Sequence, residues 1–169
     1  MTATKHHGRR SFLRAALSLC ALGLSGRVAR AGESVWTTYQ TPEAFIQEAF
    51  GGAPPPVKAM DYEGKKLRYW KGNGRSAFIL DDLGKPGYQL TTAGFVVKGG
   101  AIEIAKVLVY RESRGEQVAD ASFLKQLLGA KLAGATIDKH VDNISGATLS
   151  VQMMQRMAAT ALKLDAIAA

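Results

Sequence analysis

LTTAGFVVKGGAIEIAKVLVY, residues 90–110, is the stretch of sequence that decides the fold. Its two halves, Leu90–Lys98 and Ala101–Tyr110, are rich in β-branched and other apolar residues, a composition that favours strands. Gly99 and Gly100 lie between them and form a two-residue hairpin signal, because glycine adopts a positive φ at little steric cost. The stretch therefore predicts two antiparallel strands joined by a tight turn.

Two further strands are predicted upstream of this hairpin. Leu67–Lys71 and Ser76–Leu80 contain aromatic and β-branched residues, and a glycine-rich break at residues 72–74 separates them. A second break at residues 84–87 separates this pair from the hairpin. The chain therefore predicts an antiparallel sheet of about four strands.

Three segments have helical patterns. In Pro42–Phe50, Thr41 can cap the free N–H groups and Pro42 suits the first turn. Ala119–Leu128 and Leu149–Leu164 place apolar residues on one side, and the methionines of the second are interpreted as core rather than as a soft-metal surface. Because helices that cover a sheet share its core, we expect a single α+β domain in which the antiparallel sheet packs against helices.

Residues 1–31 have the layout of an export signal. A basic start precedes the apolar run Ala15–Leu24, and small residues ahead of Gly32 predict cleavage after Ala31. Residues 9–14, RRSFLR, resemble the twin-arginine signal for export of folded proteins, with an ordinary basic signal start as the alternative. The apolar run is about half of the roughly 20 residues that a membrane-spanning helix needs. We therefore expect a soluble periplasmic protein with peripheral or transient membrane association at most.

Much of the basic charge lies in the same segment. The chain has 22 Lys or Arg and 14 Asp or Glu, a net charge of +8, but residues 1–31 hold six of the basic residues and none of the acidic ones. Residues 32–169 keep 16 basic and 14 acidic residues, a net charge of +2, which argues against nucleic-acid binding. The single cysteine, Cys20, and the pair His6 and His7 also precede residue 32, so no disulfide and no metal site is expected.

The segment Ser145-Gly146-Ala147-Thr148 comes immediately before the last predicted helix. The first N–H groups of a helix lack partners within the helix and the helix dipole is positive there, so a phosphate can bind. Gly146 lets the backbone approach a ligand, Ala147 adds little bulk, and the two hydroxyls can form hydrogen bonds or be esterified. From these four residues alone, a helix cap is the commoner explanation.

A longer segment, Asp142-Asn143-Ile144-Ser145-Gly146-Ala147-Thr148, resembles the flavin-attachment motif Asp-x-x-Ser/Thr-Gly-Ala-Thr of the FMN-binding domain family and matches it at every specified position. That family includes the FMN-carrying subunits of the sodium-pumping quinone reductase and of the Rnf complex. The resemblance covers Leu90–Leu164 and implies that residues 32–169 form an FMN-binding domain. It further implies that Thr148 carries FMN through a phosphoester.

The resemblance also implies that a separate flavin transferase, which uses FAD and magnesium, donates the FMN. A threonine hydroxyl is a weak nucleophile unless a base lies beside it. His140 and Asp142 are the nearest candidates along the chain, and the sequence does not indicate that either reaches Thr148. Asp142 is then expected either to be part of the element that the transferase recognises or to stabilise the turn with its carboxylate.

A second similar segment is Val107–Gly115, which resembles the family's strand and its Glu-Ser/Thr-x-Gly loop, with Arg114 where proline is usual. The resemblance implies that Glu112 and Ser113 form hydrogen bonds with the flavin, and a surface ion-pair cluster is the alternative. Three aromatic residues are candidates for stacking on the flavin ring or for the core, and Tyr110 is preferred to Trp36 and Trp70 because it lies beside the loop. The predicted cofactor-binding residues are Tyr110, Glu112, Ser113, Asp142, Ser145, Gly146, Ala147 and Thr148.

The function that follows is electron transfer. A covalently held flavin cannot diffuse between enzymes, and the chain has no Ser/His/Asp grouping, no marked carboxylate pair and no dinucleotide fingerprint, so no catalytic residue is predicted. The first hypothesis is a periplasmic carrier that docks with a membrane-bound redox partner or a cytochrome. The alternatives are a flavin-dependent reductase of a small acceptor and a flavin-free periplasmic adaptor module.

Overall fold

An antiparallel sheet forms the centre of the protein. The computed structural model describes residues 36–87 and 89–168 of the chain. The main sheet of this part has the order β1-β6-β5-β4-β3-β2, with every neighbouring pair antiparallel. In chain order the strands are β1 (Thr37–Thr38), β2 (Val57–Tyr62), β3 (Lys65–Gly72), β4 (Arg75–Asp82), β5 (Thr91–Lys98) and β6 (Ala101–Tyr110).

The predicted α+β class is confirmed, whereas the strand count differs: about four strands were expected and this sheet has six. The two additional strands lie at its two edges. β1 is only two residues long, and β2 has mostly exposed side chains. An edge strand that buries little has no strong apolar alternation, which is why the pattern did not predict it. The predicted signal, its arginine pair, Cys20 and the cleavage site lie outside the described residues.

The hairpin at residues 90–110 forms as predicted. Gly99 and Gly100 have φ values of 59° and 73°, and Lys98 pairs with Ala101 across the turn. Seven of the eight β5 residues are buried. This burial arises because helices cover both faces of the sheet.

One face of the sheet is covered by helix α1 (Pro42–Phe50), which has its predicted bounds. Thr41 Oγ1 accepts a hydrogen bond from the Ala44 N–H at 3.2 Å and so caps the helix. The Phe45 ring packs directly over Gly94, where an added Cβ would lie 2.5 Å from the ring. The glycine therefore leaves room for the ring in the middle of β5.

The other face is covered by α3 (Thr148–Ile167), which is longer than the predicted Leu149–Leu164. Met153, Met154 and Met157 are at most 2% exposed, so their assignment to the core is confirmed. The predicted helix at Ala119–Leu128 corresponds to the shorter α2 (Ala121–Leu127), and a 3-10 helix at Glu116–Ala119 precedes it. A short hairpin follows, formed by β7 (Leu132–Ala133) and β8 (Thr136–Ile137).

Candidate functional site

A tight turn leads into α3. Gly146 has a φ of 78°, and the Ala147 N–H donates to the Ile144 carbonyl at 2.8 Å. Ala147 occupies the cap position without a side-chain hydrogen bond, and the helical bonding begins with Val151 donating to Ala147. The N–H groups of Thr148, Leu149 and Ser150 therefore have no acceptor within the helix. Capping of α3 by Ser145 or Thr148 is not observed.

The Thr148 side chain is exposed and forms a hydrogen bond with a nearby side chain. Its Oγ1 accepts a hydrogen bond from Asn143 Nδ2 at 3.0 Å. His140 instead lies against Asp142, with 3.6 Å between Nε2 and Oδ1, and both side chains are largely exposed. Within the part of the chain that the structure describes, neither has a recorded contact with Thr148, so no internal base for its hydroxyl is evident. Asn143 was not predicted, because it stands at an unspecified position of the motif.

A surface pocket of about 350 Å³ opens beside Thr148. It lies where three segments meet: the loop after β4, the loop after β6 and the first turn of α3. The volume lies at the lower end of the range for small-molecule sites. Its lining residues are Lys85, Glu112, Arg114, Gly146, Ala147, Thr148, Leu149 and Ser150.

The pocket contains four of the eight predicted residues: Glu112, Gly146, Ala147 and Thr148. Asp142, Ser113 and Ser145 are exposed residues of the adjoining loops and do not line it. Its lining also includes Lys85, Arg114, Leu149 and Ser150, which are not among the eight predicted residues. Lys85 belongs to a glycine- and proline-rich turn, whose composition indicated a break rather than a site.

Glu112 joins two of the walls. Its Oε1 accepts a hydrogen bond from the Gly84 N–H at 2.6 Å, and Ser150 Oγ lies 3.5 Å from its Oε2. A Cβ at Gly84 would lie 2.5 Å from the carboxylate, so only glycine fits there without a shift. Arg111 points elsewhere and donates to the Leu90 carbonyl and Thr92 Oγ1 at 2.6 and 2.9 Å.

Tyr110 lies beneath the pocket rather than in it. Its ring is 2% exposed, and its hydroxyl donates to the Arg114 carbonyl and lies 3.1 Å from Ser150 Oγ. Stacking of Tyr110 on a flavin ring stays a prediction; in this structure its side chain lies in the buried core cluster. Trp70 packs in the core beside α1, and Trp36 is 54% exposed.

The buried hydroxyl of Tyr110 makes the free energy of unfolding depend on pH in the alkaline range. Burial is the main cause that raises the pKa of its hydroxyl to about 12 from 10.0, and nearby Glu112 and Glu116 carboxylates add to it while the Ser150 hydrogen bond opposes it. The folded protein thus favours the neutral phenol, and this contribution is complete below pH 10 and lost between pH 10 and about 12. Two pKa units correspond to about 2 to 3 kcal/mol.

We expect the free energy of unfolding to fall more steeply across this interval in the wild type than in Tyr110→Phe. Urea unfolding at a series of alkaline pH values measures the difference. Tyr62→Phe serves as a comparison with a less buried tyrosine: burial and the nearby Glu63 carboxylate also raise the pKa of Tyr62, which lies on the edge strand β2 and is only half-buried. Parallel curves for the wild type and Tyr110→Phe would contradict the assignment.

No helix in the described ranges, 36–87 and 89–168, has the length and hydropathy required to cross a membrane. Over the same ranges, no group of three or more His, Cys, Asp or Glu side chains is arranged to hold a metal ion.

One protein-family model matches part of the chain. The model of the FMN-binding domain matches residues 87–163, just under half of the chain. The matched segment contains the β5–β6 hairpin, the loop after β6, the turn before α3 and most of α3. No curated protein and no solved structure matched the chain significantly.

Proposed function

Because residues 87–163 belong to the FMN-binding domain family, we propose that this protein carries FMN through a phosphoester to Thr148 and transfers electrons. The observation that supports this proposal most directly is the position of Thr148. Its hydroxyl is exposed at the first residue of α3, beside a pocket and next to N–H groups without acceptors in the helix.

The residues around Thr148 fit a phosphate. The N–H groups of Leu149 and Ser150, which have no acceptor within α3, and the positive end of the α3 dipole favour an anion. Lys85 and Arg114 line the same pocket and bring two positive charges to it. Small residues, Gly146 and Ala147, leave the approach to Thr148 open.

Attachment needs an external enzyme in this proposal. Thr148 Oγ1 would form the ester bond to the FMN phosphorus of FAD, and adenosine monophosphate would leave. The hydroxyl proton would go to a base of the transferase, since no internal base contacts Thr148 among the described residues. The role of the chain is then to present the hydroxyl.

When bound, the flavin supplies one- and two-electron transfer. The exposure of Thr148 and Leu149, the latter 46% exposed, gives a partner protein access to this end of the domain. We further propose that the protein works in the periplasm, exported by the signal in residues 1–31, and docks with a membrane-bound redox partner or a cytochrome. An N-terminus at Gly32 in the purified periplasmic protein would support the export step.

The deciding experiment is coexpression of the chain with a flavin transferase, followed by denaturation and precipitation. The proposal expects a visible flavin spectrum that stays with the precipitated protein and an intact mass increased by one FMN ester. A colourless protein would favour the adaptor hypothesis instead. Steady-state reduction of a small acceptor by the purified protein, with a chemical electron donor supplied and no second protein present, would favour the reductase hypothesis.

A further inference from the structure

A chain of hydrogen bonds runs beneath the pocket and ties its walls together. Tyr110, at the end of β6, contacts the Arg114 carbonyl in the loop and Ser150 Oγ in α3. Ser150 Oγ in turn lies 3.5 Å from the Glu112 carboxylate, which accepts the Gly84 N–H. The chain therefore spans all three segments that form the pocket.

The side chain of Ser150 is placed for this contact rather than for helix capping. It is 3% exposed, although it lies in the first turn of an exposed helix end. Burial of a hydroxyl is unfavourable unless it is hydrogen-bonded, and its recorded partners are Tyr110 and Glu112. Both partners lie far from Ser150 in the sequence: Tyr110 precedes it by 40 residues and Glu112 by 38.

Gly115 shows how closely the loop and the helix approach each other. A Cβ there would lie 2.3 Å from Ser150 Oγ and 2.9 Å from the Tyr110 hydroxyl, and its φ is +89°. The loop therefore leaves no room for a side chain at Gly115 beside the two hydroxyls.

We propose that Tyr110 and Ser150 are positioning residues that hold the loop 111–115 against the first turn of α3, so that the pocket is formed before FMN is attached. Neither side chain needs to touch the flavin. They act by fixing Glu112 and Arg114 in the wall beside Thr148. The inference rests on the proposed function, because it assigns these residues to the acceptor site for FMN.

The test compares Ser150→Ala, Tyr110→Phe and the double variant with the wild type. The initial rate of FMN attachment is measured with a purified transferase and FAD over a range of acceptor concentrations. Each single variant should lower kcat/KM about three- to tenfold, the effect of losing one hydrogen bond. The double variant should be slower than either single variant but faster than additive losses would give, because the two variants share the contact between the hydroxyls and each also removes one contact of its own. Ser150→Thr, which keeps the hydroxyl, should recover most of the rate.

Amide hydrogen exchange of residues 111–115 supplies a readout that needs no flavin. Ser150→Ala and Tyr110→Phe should each accelerate exchange in this loop by the same three- to tenfold factor, while the core of β5 keeps its protection. The matched controls are Ser76→Ala, a buried serine 1% exposed on β4, and Tyr62→Phe on β2. Both controls should leave the attachment rate and the loop exchange unchanged.

Unchanged attachment and unchanged loop exchange in both variants would overturn the inference. Additive losses in the double variant, or equal losses in the controls, would also overturn it, since general destabilisation would then explain the effect. If the wild type accepts no FMN, the proposed function fails, and the exchange experiment still decides whether the two hydroxyls hold the loop.

Discussion

Thr148→Val is expected to yield a folded protein that carries no FMN after coexpression with a flavin transferase. Valine has nearly the shape of threonine but lacks the oxygen that forms the ester, so the loss should be complete rather than partial. The Thr148 side chain is exposed, and its recorded bond is a surface contact with Asn143, so folding should be preserved. Intact-mass measurement and the visible spectrum of the denatured protein determine the result.

Two controls isolate the hydroxyl. Thr160→Val makes the same change later in α3, at a half-buried position away from the pocket, and should leave the FMN content unchanged. Thr148→Ser keeps an oxygen at the site and should still accept FMN. An FMN adduct of undiminished amount on Thr148→Val would show that another residue carries the flavin.

Gly115→Ala should have the second large effect, on both stability and flavin content. At a φ of +89°, alanine is strained by about 1 to 2 kcal/mol. Its Cβ would also displace Ser150 Oγ and the Tyr110 hydroxyl, and their buried hydrogen bonds contribute about 1 kcal/mol each. We therefore expect the free energy of unfolding to fall by about 3 kcal/mol, with a matching decrease in FMN attachment because the loop moves.

Urea unfolding of Gly115→Ala and Gly74→Ala separates the two causes. Gly74 also has a positive φ, +71°, but an added Cβ there would meet nothing within 4 Å. Its substitution should cost only the backbone strain, about 1 kcal/mol, and should leave FMN attachment intact. Equal destabilisation at the two positions would show that the contact with Ser150 and Tyr110 does not matter.

The regular elements were predictable wherever a local pattern carried the information. The β5–β6 hairpin depends on two glycines and their flanking strands, and α1 depends on a cap, a proline and an apolar face, all within about ten residues of each other. β2 was missed because it is an edge strand with exposed side chains. The prediction for the segment that follows Gly115 was less accurate. Its 3-10 helix has four residues and α2 has seven, and such short helices show little apolar periodicity.

The candidate site was predictable only in part, because only some of its residues are close together in the sequence. Ser145, Gly146, Ala147 and Thr148 are contiguous, so a motif could mark them, whereas Lys85 reaches the pocket from a different loop. Tyr110 was chosen for its place beside the loop, whereas the structure buries its side chain in the core that β6 shares with α3. Adjacency along the chain does not determine which side of a strand end faces solvent.

By itself, the sequence determined the α+β class, the central hairpin, the helices α1 and α3, and the resemblance of the Thr148 segment to a flavin-attachment motif. These properties depend on residues close together in the chain, where periodicity, caps and turn glycines act. Only the tertiary structure decided that the loops after β4 and β6 meet the first turn of α3, that Tyr110 is buried, and that Ser150 joins them. Those contacts link residues 28 to 40 positions apart, and they form only when the sheet and α3 pack on a common core.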